Sequence, residues 1–351
     1  MRTSFIVALL IPSLLSAAEF KLVRRFGEPN PNHEQAWNGH VDHASWVDDE
    51  RIVYWSKAGR ITCLDVRSGK IVWSIDGIRA IRSWSLSSKT RRLAYSEQGD
   101  ELFGEDKGIV VIDCDTGKRL VQLNAKSLAK LLNLDYAMPG ELVLSPSNGR
   151  LILSQFATFY GRNGHILDPT YGQLESSFEI DASPSELSIS PDGRYLSLIA
   201  DDEVLCVRDL KENRELFFQG RRVLKKPQSF TFVIDAPFFS HIRSDGRTVI
   251  YTQDNSWGTG KVFVHDLATK KTSSFDARNG HIELSVHFPS RRIVLTGTEA
   301  GLTMTDFAGV VLAELKDATL QRNGCVEFSP SGKRIVVGSW DNAVYVFEIV
   351  E

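Results

Sequence analysis

The chain has 351 residues, with 41 Lys and Arg against 44 Asp and Glu, a formal net charge of −3 and a hydrophobic fraction of 42%. That balance excludes a partner held through a phosphate backbone, because nucleic-acid binding needs concentrated Lys and Arg. A chain of this length can bury its own core and needs no disulfide framework to stabilise one.

The first element in chain order is a leader. "MRTSFIVALLIPSLLSAAEF" has a base at Arg2, an apolar run from Phe5 to Leu15, and small residues at Ser16, Ala17 and Ala18. This is the layout of a secretory signal peptide cleaved after Ala18, which divides the chain into residues 1–18 and a mature domain of residues 19–351. The run is short for a membrane span and contains Pro12, and no Cys follows the small residues to accept a lipid. Removing the leader takes away one base and no acid, leaving 40 minus 44, a mature charge near −4. The expectation is an exported protein, periplasmic or extracellular, with no membrane span. Cys63, Cys114, Cys206 and Cys325 are far apart and form no Cys-x-x-Cys pair, so they read as free residues embedded in strands.

The rest of the chain reads as short strands rich in Val, Ile, Leu, Phe and Tyr, separated by Gly, Asp, Ser and Asn, with no long amphipathic helix. Seven segments hold a turn between two strand patterns: "WVDDERIVYW" at 46, "SLSSKTRRLAYS" at 85, "LSPSNGRLILS" at 144, "ISPDGRYLSLI" at 189, "IRSDGRTVIYT" at 242, "HFPSRRIVLTG" at 287 and "FSPSGKRIVVG" at 328. A third strand follows each pair and ends near an acid: Asp65, Asp113, Asp168, Asp209, Asp266, Asp306 and Glu348. Turns such as "RSGK" at 67 and "DTGK" at 115 then lead into a fourth, weaker strand. Four strands per unit at this spacing describe a propeller blade. The seventh unit stops after its third strand, and "FKLVRRF", Phe20 to Phe26, is expected to supply the fourth by pairing with residues 343–348. The expected fold is all-β: a seven-bladed β-propeller closed by an N-terminal strand that completes the last blade, so that no long central edge stays open.

Blade seven, "GCVEFSPSGKRIVVGSWDNAVYVFEI", resembles a WD40 repeat over almost its whole length, and the Gly39-His40 and Gly280-His281 pairs stand at matching places in two units. The Trp of that family's Trp-Asp pair is replaced by Leu64, Ile112, Leu167, Arg208, His265, Thr305 and Phe347, while the acid remains. Blade one, "GRITCLDVRSGKIVWSIDG", is similar instead to the repeat of quinoprotein (PQQ-like) propellers. That family has a longer, eight-bladed domain and adjacent cysteines at its cofactor. Both are missing here, so no cofactor is carried over. The resemblance is to the WD40, YVTN and quinoprotein-like propeller group, and it implies shape rather than activity.

In this architecture the loops joining second and third strands share one face with those joining consecutive blades. "EQGDELFGEDK" at 97, "QFATFYGRNG" at 155 and "QDNSWGTG" at 253 are the long second-to-third-strand loops, and "GEPNPNHEQAWNGHVDH" at 27 leads into blade one. Trp37, Phe103, Phe156, Phe159, Tyr160, Trp257 and Trp340 are therefore the candidate contact residues, since aromatics on rigidly held loops bring large buried area with few torsions to freeze. Packing down on the blades is the competing role for each. The acids Glu97, Asp100, Glu101, Glu105 and Asp106 lack the ordered spacing of a calcium loop and read as a solvated charge run. His33, His40 and His43 lie close in sequence, but His40 is accounted for by the Gly-His loop, and no metal site is assigned. No Gly-x-Ser-x-Gly elbow, phosphate-binding glycine loop or His-Glu-x-x-His is present, so no catalytic residue is assigned. The expected function is a non-enzymatic scaffold that binds a protein or polymer through the loop-rich face. The alternative is an enzyme or small-ligand propeller with its site in the central channel.

Overall fold

The computed structural model describes residues 18–27, 40–78, 80–97, 108–135, 137, 139–155, 163–180, 184–200, 204–219, 237–242, 246–253, 260–277, 283–296, 301–316, 320 and 323–351. They form seven four-stranded antiparallel sheets. Blade 1 runs Val41–Trp46, Arg51–Ser56, Arg60–Asp65 and Ile71–Asp76. Blades 2 to 6 repeat that order along the chain, and the first strand of each blade neighbours the first strands of the blades beside it. The sheets therefore stand in a ring around a channel walled by first strands, with fourth strands at the outer rim.

The clasp lies where the repeat demands it. Glu19–Phe26 pairs antiparallel with Val344–Val350, from Glu19 opposite Val350 to Phe26 opposite Val344. Phe20 is 5% exposed and meets the edge of the Phe347 ring at 6.5 Å, so the clasp is secured by a buried aromatic as well as by its ladder.

Each blade buries both of its faces, which is why its middle strands read as apolar runs rather than alternating ones. "RITCLD" is buried at Ile61, Thr62, Cys63 and Leu64, whereas the outer "IVWSID" alternates exposed and half-buried residues. The buried residues sort into seven hydrophobic clusters, each bridging two neighbouring blades. The cluster between blades 7 and 1 joins Val336, Val344 and Val346 to Trp46, Ile52 and Leu64. The cysteines are free, and burial pushes the Cys63 thiol up to about 12, so it behaves as a small core residue.

The acid at the end of the third strand has a local cause. Asp65 Oδ1 accepts from the Ser68 amide at 2.6 Å and its hydroxyl at 2.7 Å; Asp113 does the same with Thr116 at 2.8 and 2.7 Å, and Asp266 with Thr269 at 2.6 and 2.9 Å. The carboxylate satisfies donors that the tight turn leaves without a ladder partner. Those hydrogen bonds hold Asp65 and Asp266 below their ordinary carboxyl range. Two residues before the fourth strands of blades 1 and 2, the turns need a left-handed residue, Gly69 (φ 74°) and Gly117 (φ 70°). Gly117 is required twice over, because a Cβ there would lie 2.8 Å from the Trp73 indole of the preceding blade.

One element lies outside the strand pattern. Residues Ala125–Leu132 form a helix between blades 2 and 3, capped by the Asn124 side chain, which accepts from the Ser127 amide, and ended by left-handed Asn133. Leu128, Ala129 and Leu132 bury one side of it against both blades. Among the described residues no helix is long and apolar enough to cross a membrane.

Candidate functional site

On the face made by the first-to-second and third-to-fourth strand turns, neighbouring blades tie their turns together. Asp49 of blade 1 accepts from the Ser331 amide at 3.1 Å, and its carbonyl accepts from Arg334 at 2.9 Å, both in blade 7. Asp115 of blade 2 accepts from Arg51 of blade 1 and from Arg91 of its own blade, each at 2.8 Å. Arg92 reaches across to the Pro169 carbonyl at 2.6 Å and the Tyr171 hydroxyl at 3.1 Å in blade 3. A cleft of about 420 Å³ opens between blades 3 and 4 on this face, floored by Ile152, Ile166 and Leu210. Its Arg150 and Arg194 already hold Glu175 at 2.7 Å and Asp209 at 2.5 Å.

The opposite face carries the connections between second and third strands and between blades. Trp37, Phe103, Phe156, Phe159, Tyr160 and Trp257 lie outside the described residues, as do His33 and the acidic run from 98 to 107. The described strands still fix where those segments attach. Residues 98–107 join Arg92–Glu97 to Gly108–Asp113, residues 156–162 join Leu151–Gln155 to Asn163–Leu167, and residues 254–259 join Thr248–Gln253 to Gly260–Asp266, all on this face. Trp340 is described. Its half-buried indole stacks on the His40 imidazole with centroids 5.1 Å apart and planes 5° apart, so the Gly-His loop of blade 1 is joined to blade 7 by ring stacking.

Between the faces, the channel wall holds a polar chain that runs through three blades. Glu327, on the first strand of blade 7, accepts from the Trp46 amide at 3.3 Å, while its own carbonyl accepts from the Trp46 indole at 3.1 Å. Ser45 donates to Glu327 and accepts from the Trp84 indole of blade 2 at 3.0 Å. His43 then stacks on Trp84 at 5.7 Å with planes 3° apart. Both titratable ends are half-buried yet lie deep in the ring. Burial raises the Glu327 carboxyl to about 7, against the opposing hydrogen bonds from Ser45 and Trp46, and lowers the His43 imidazole to about 4.

Aligning the first strands by register shows why these residues are there. Ser45, Ser85, Ser188, Ser285 and Glu327 occupy one position, each opposite the same place in its second strand, with Val143 and His241 there in blades 3 and 5. Ser85 accepts from the Leu144 amide at 2.9 Å and Ser285 from the Phe328 amide at 3.0 Å, repeating the Glu327 to Trp46 contact. The side chain of one blade thus satisfies an edge amide of the next around the channel. Glu327 and His241 put ionisable groups where four other blades use serine and blade 3 uses Val143. Sequence reasoning passed over this set, although stacking the seven units would have shown Glu327 and His241 in a column of four serines and a valine. Among the described residues no group of three or more His, Cys, Asp or Glu could hold a metal ion.

No family model matches the chain, and no curated protein matches it. What stands is the seven-bladed β-propeller.

Proposed function

We propose that the mature chain, residues 19–351, is an exported propeller of WD40-like kinship that acts without catalysis, holding a protein or polymer on the face that carries its second-to-third-strand connections. The supporting observation is the closed set of turns on one face beside the aromatic-rich sequence of the connections that attach on the other. One is bound together by turn-to-turn ion pairs and carboxylate caps, with Asp49, Asp115 and Asp209 already held by neighbours. The other is where the long connections attach and where the sequence gathers Trp37, Phe103, Phe156, Phe159, Tyr160 and Trp257. Binding energy in such surfaces concentrates in a few aromatic anchors. The test is capture of a partner from the exported fraction of the source organism with the mature chain and with a variant carrying Phe103→Ala, Tyr160→Ala and Trp257→Ala. A partner kept by the native chain and lost by the variant, at an unchanged melting temperature, supports the reading. Retention by both rejects the face.

A second reading is favoured by one observation, the channel carboxyl of Glu327 poised near pH 7 beside Ser45. It places a small ligand in the channel. Native mass spectrometry of the purified chain decides it, since a copurifying small molecule lost in Glu327→Gln would support the channel over the face.

A further inference from the structure

The outer rim is not uniform around the ring. Among the described residues, every exposed large apolar side chain belongs to blades 6, 7, 1 or 2, which are consecutive. The register shows how some of them come to face outward. The fourth strand bulges at the same place in six blades, leaving one residue without a cross-strand partner: Val23, Val72 and Leu120 in blades 7, 1 and 2, Glu175, Leu216 and Leu312 in blades 3, 4 and 6. The first three are 41%, 44% and 46% exposed. Leu216 and Leu312 instead turn partly into the core, and Glu175 pairs with Arg150 at 2.7 Å.

The same three blades carry a run of exposed cations in a chain whose net charge is −3. Lys21, Arg25, Lys70, Lys118 and Arg119 are exposed and make no ion pair among the described residues. Of the nearby carboxylates, Asp65 and Asp113 cap their own turns, Asp115 is held by Arg51 and Arg91, Asp76 pairs with Arg60, and Glu348 stands across the ladder from Lys21. The surface is continuous and rigid, because Arg24 of blade 7 lies over Gly69 of blade 1, and Trp73 of blade 1 donates from its indole to the Cys114 carbonyl of blade 2 at 2.8 Å.

We propose that the outer rim of blades 7, 1 and 2 is a second interaction surface, and that its partner is an extended acidic protein segment with apolar residues spaced between its carboxylates. Exposed apolar patches bordered by one sign of charge mark association sites, and complementary charge sets both encounter rate and partner choice. A second copy docking rim to rim would set cation against cation. A flat membrane touches a convex rim along too few blades to use all three bulges. The bulges also interrupt the edge ladder, so the segment is held by side chains rather than by adding a strand.

Fluorescence anisotropy tests this with the full mature chain and a labelled peptide alternating Glu and Leu. A Lys-Leu peptide, a Glu-Ser peptide and vesicles of anionic phospholipid serve as competitors. Two double variants separate the terms: Lys70→Glu with Lys118→Glu, and Val72→Ser with Leu120→Ser. All four positions are exposed, and thermal melting checks that the fold is kept. The Glu-Leu peptide is expected to bind, to be displaced weakly or not at all by the other probes, and to lose about tenfold or more in affinity with either variant. No binding, equal binding of the Lys-Leu peptide, preference for vesicles, or affinity unchanged in both variants would each overturn the proposal.

Discussion

Glu327 and Trp46 are bonded twice across the seam between the last blade and the first, carboxylate to amide at 3.3 Å and indole to carbonyl at 3.1 Å. The seam closed at the rim by the N-terminal strand is thus also closed at the channel, by a group that titrates.

The pH dependence follows from that group. Glu327 has its folded value raised to about 7 from 4.5, so its protonated form is the one the fold prefers. Its contribution is fully present below pH 4.5 and is lost as the pH rises through 7. His43, lowered to about 4 from 6.5, acts in the opposite sense: its contribution is present above 6.5 and lost as the pH falls toward 4. Glu327→Gln keeps the acceptor for Trp46 and removes the ionisation. We expect it to match the native chain at pH 4.5 and to exceed it at pH 8 by on the order of 3 kcal/mol in urea unfolding. A constant offset between the two chains across that range would show that the Glu327 carboxyl titrates at the same pH in the folded and unfolded chains.

The clasp gives a second expectation. Phe20→Ala empties a site that is 5% exposed against Phe347 and should cost about 3 kcal/mol, while deletion of residues 19–27 should cost more. An unchanged urea midpoint for the deletion would mean that the last blade is stable with three strands.

Two ion pairs should respond very differently to removal. Asp209 is 1% exposed beneath Arg194, which also lowers its carboxyl, and it caps the turn through the Lys211 and Glu212 amides at 3.0 and 3.1 Å. Arg194→Met leaves that carboxylate covered and unpaired and should lower the urea midpoint clearly, most of all above pH 4, where Asp209 is ionised in both states. Arg292→Met removes only a partner of Glu351, which is 70% exposed, and should leave the midpoint nearly unchanged. Equal effects of the two would contradict the burial argument.

Much of the fold was legible because the repeat states it seven times. The turn glycines, the acids from Asp65 to Asp306 and the missing fourth strand of blade 7 all follow from local rules, and Phe20 to Phe26 had no other place to pair. The helix at Ala125–Leu132 escaped because only its Leu128, Ala129 and Leu132 side is apolar, over too few turns to stand out in a strand-rich chain. The channel chain escaped for a different reason. His43, Ser45, Trp84 and Glu327 come from three blades, and no spacing within one segment reveals that they meet. The rim asymmetry was likewise hidden, since Val23, Val72 and Leu120 differ from Leu216 and Leu312 in exposure and hardly in type.

Hydrogen exchange of residues 19–351, alone and with a captured partner, tests which face of the ring does the binding. We expect protection in peptides spanning 98–107, 156–162 and 254–259, with none at the turns around Asp49, Asn148, Asp192 and Ser331 on the opposite face. Protection confined to those turns would contradict that expectation, and would place the working surface on the face that the ion pairs close.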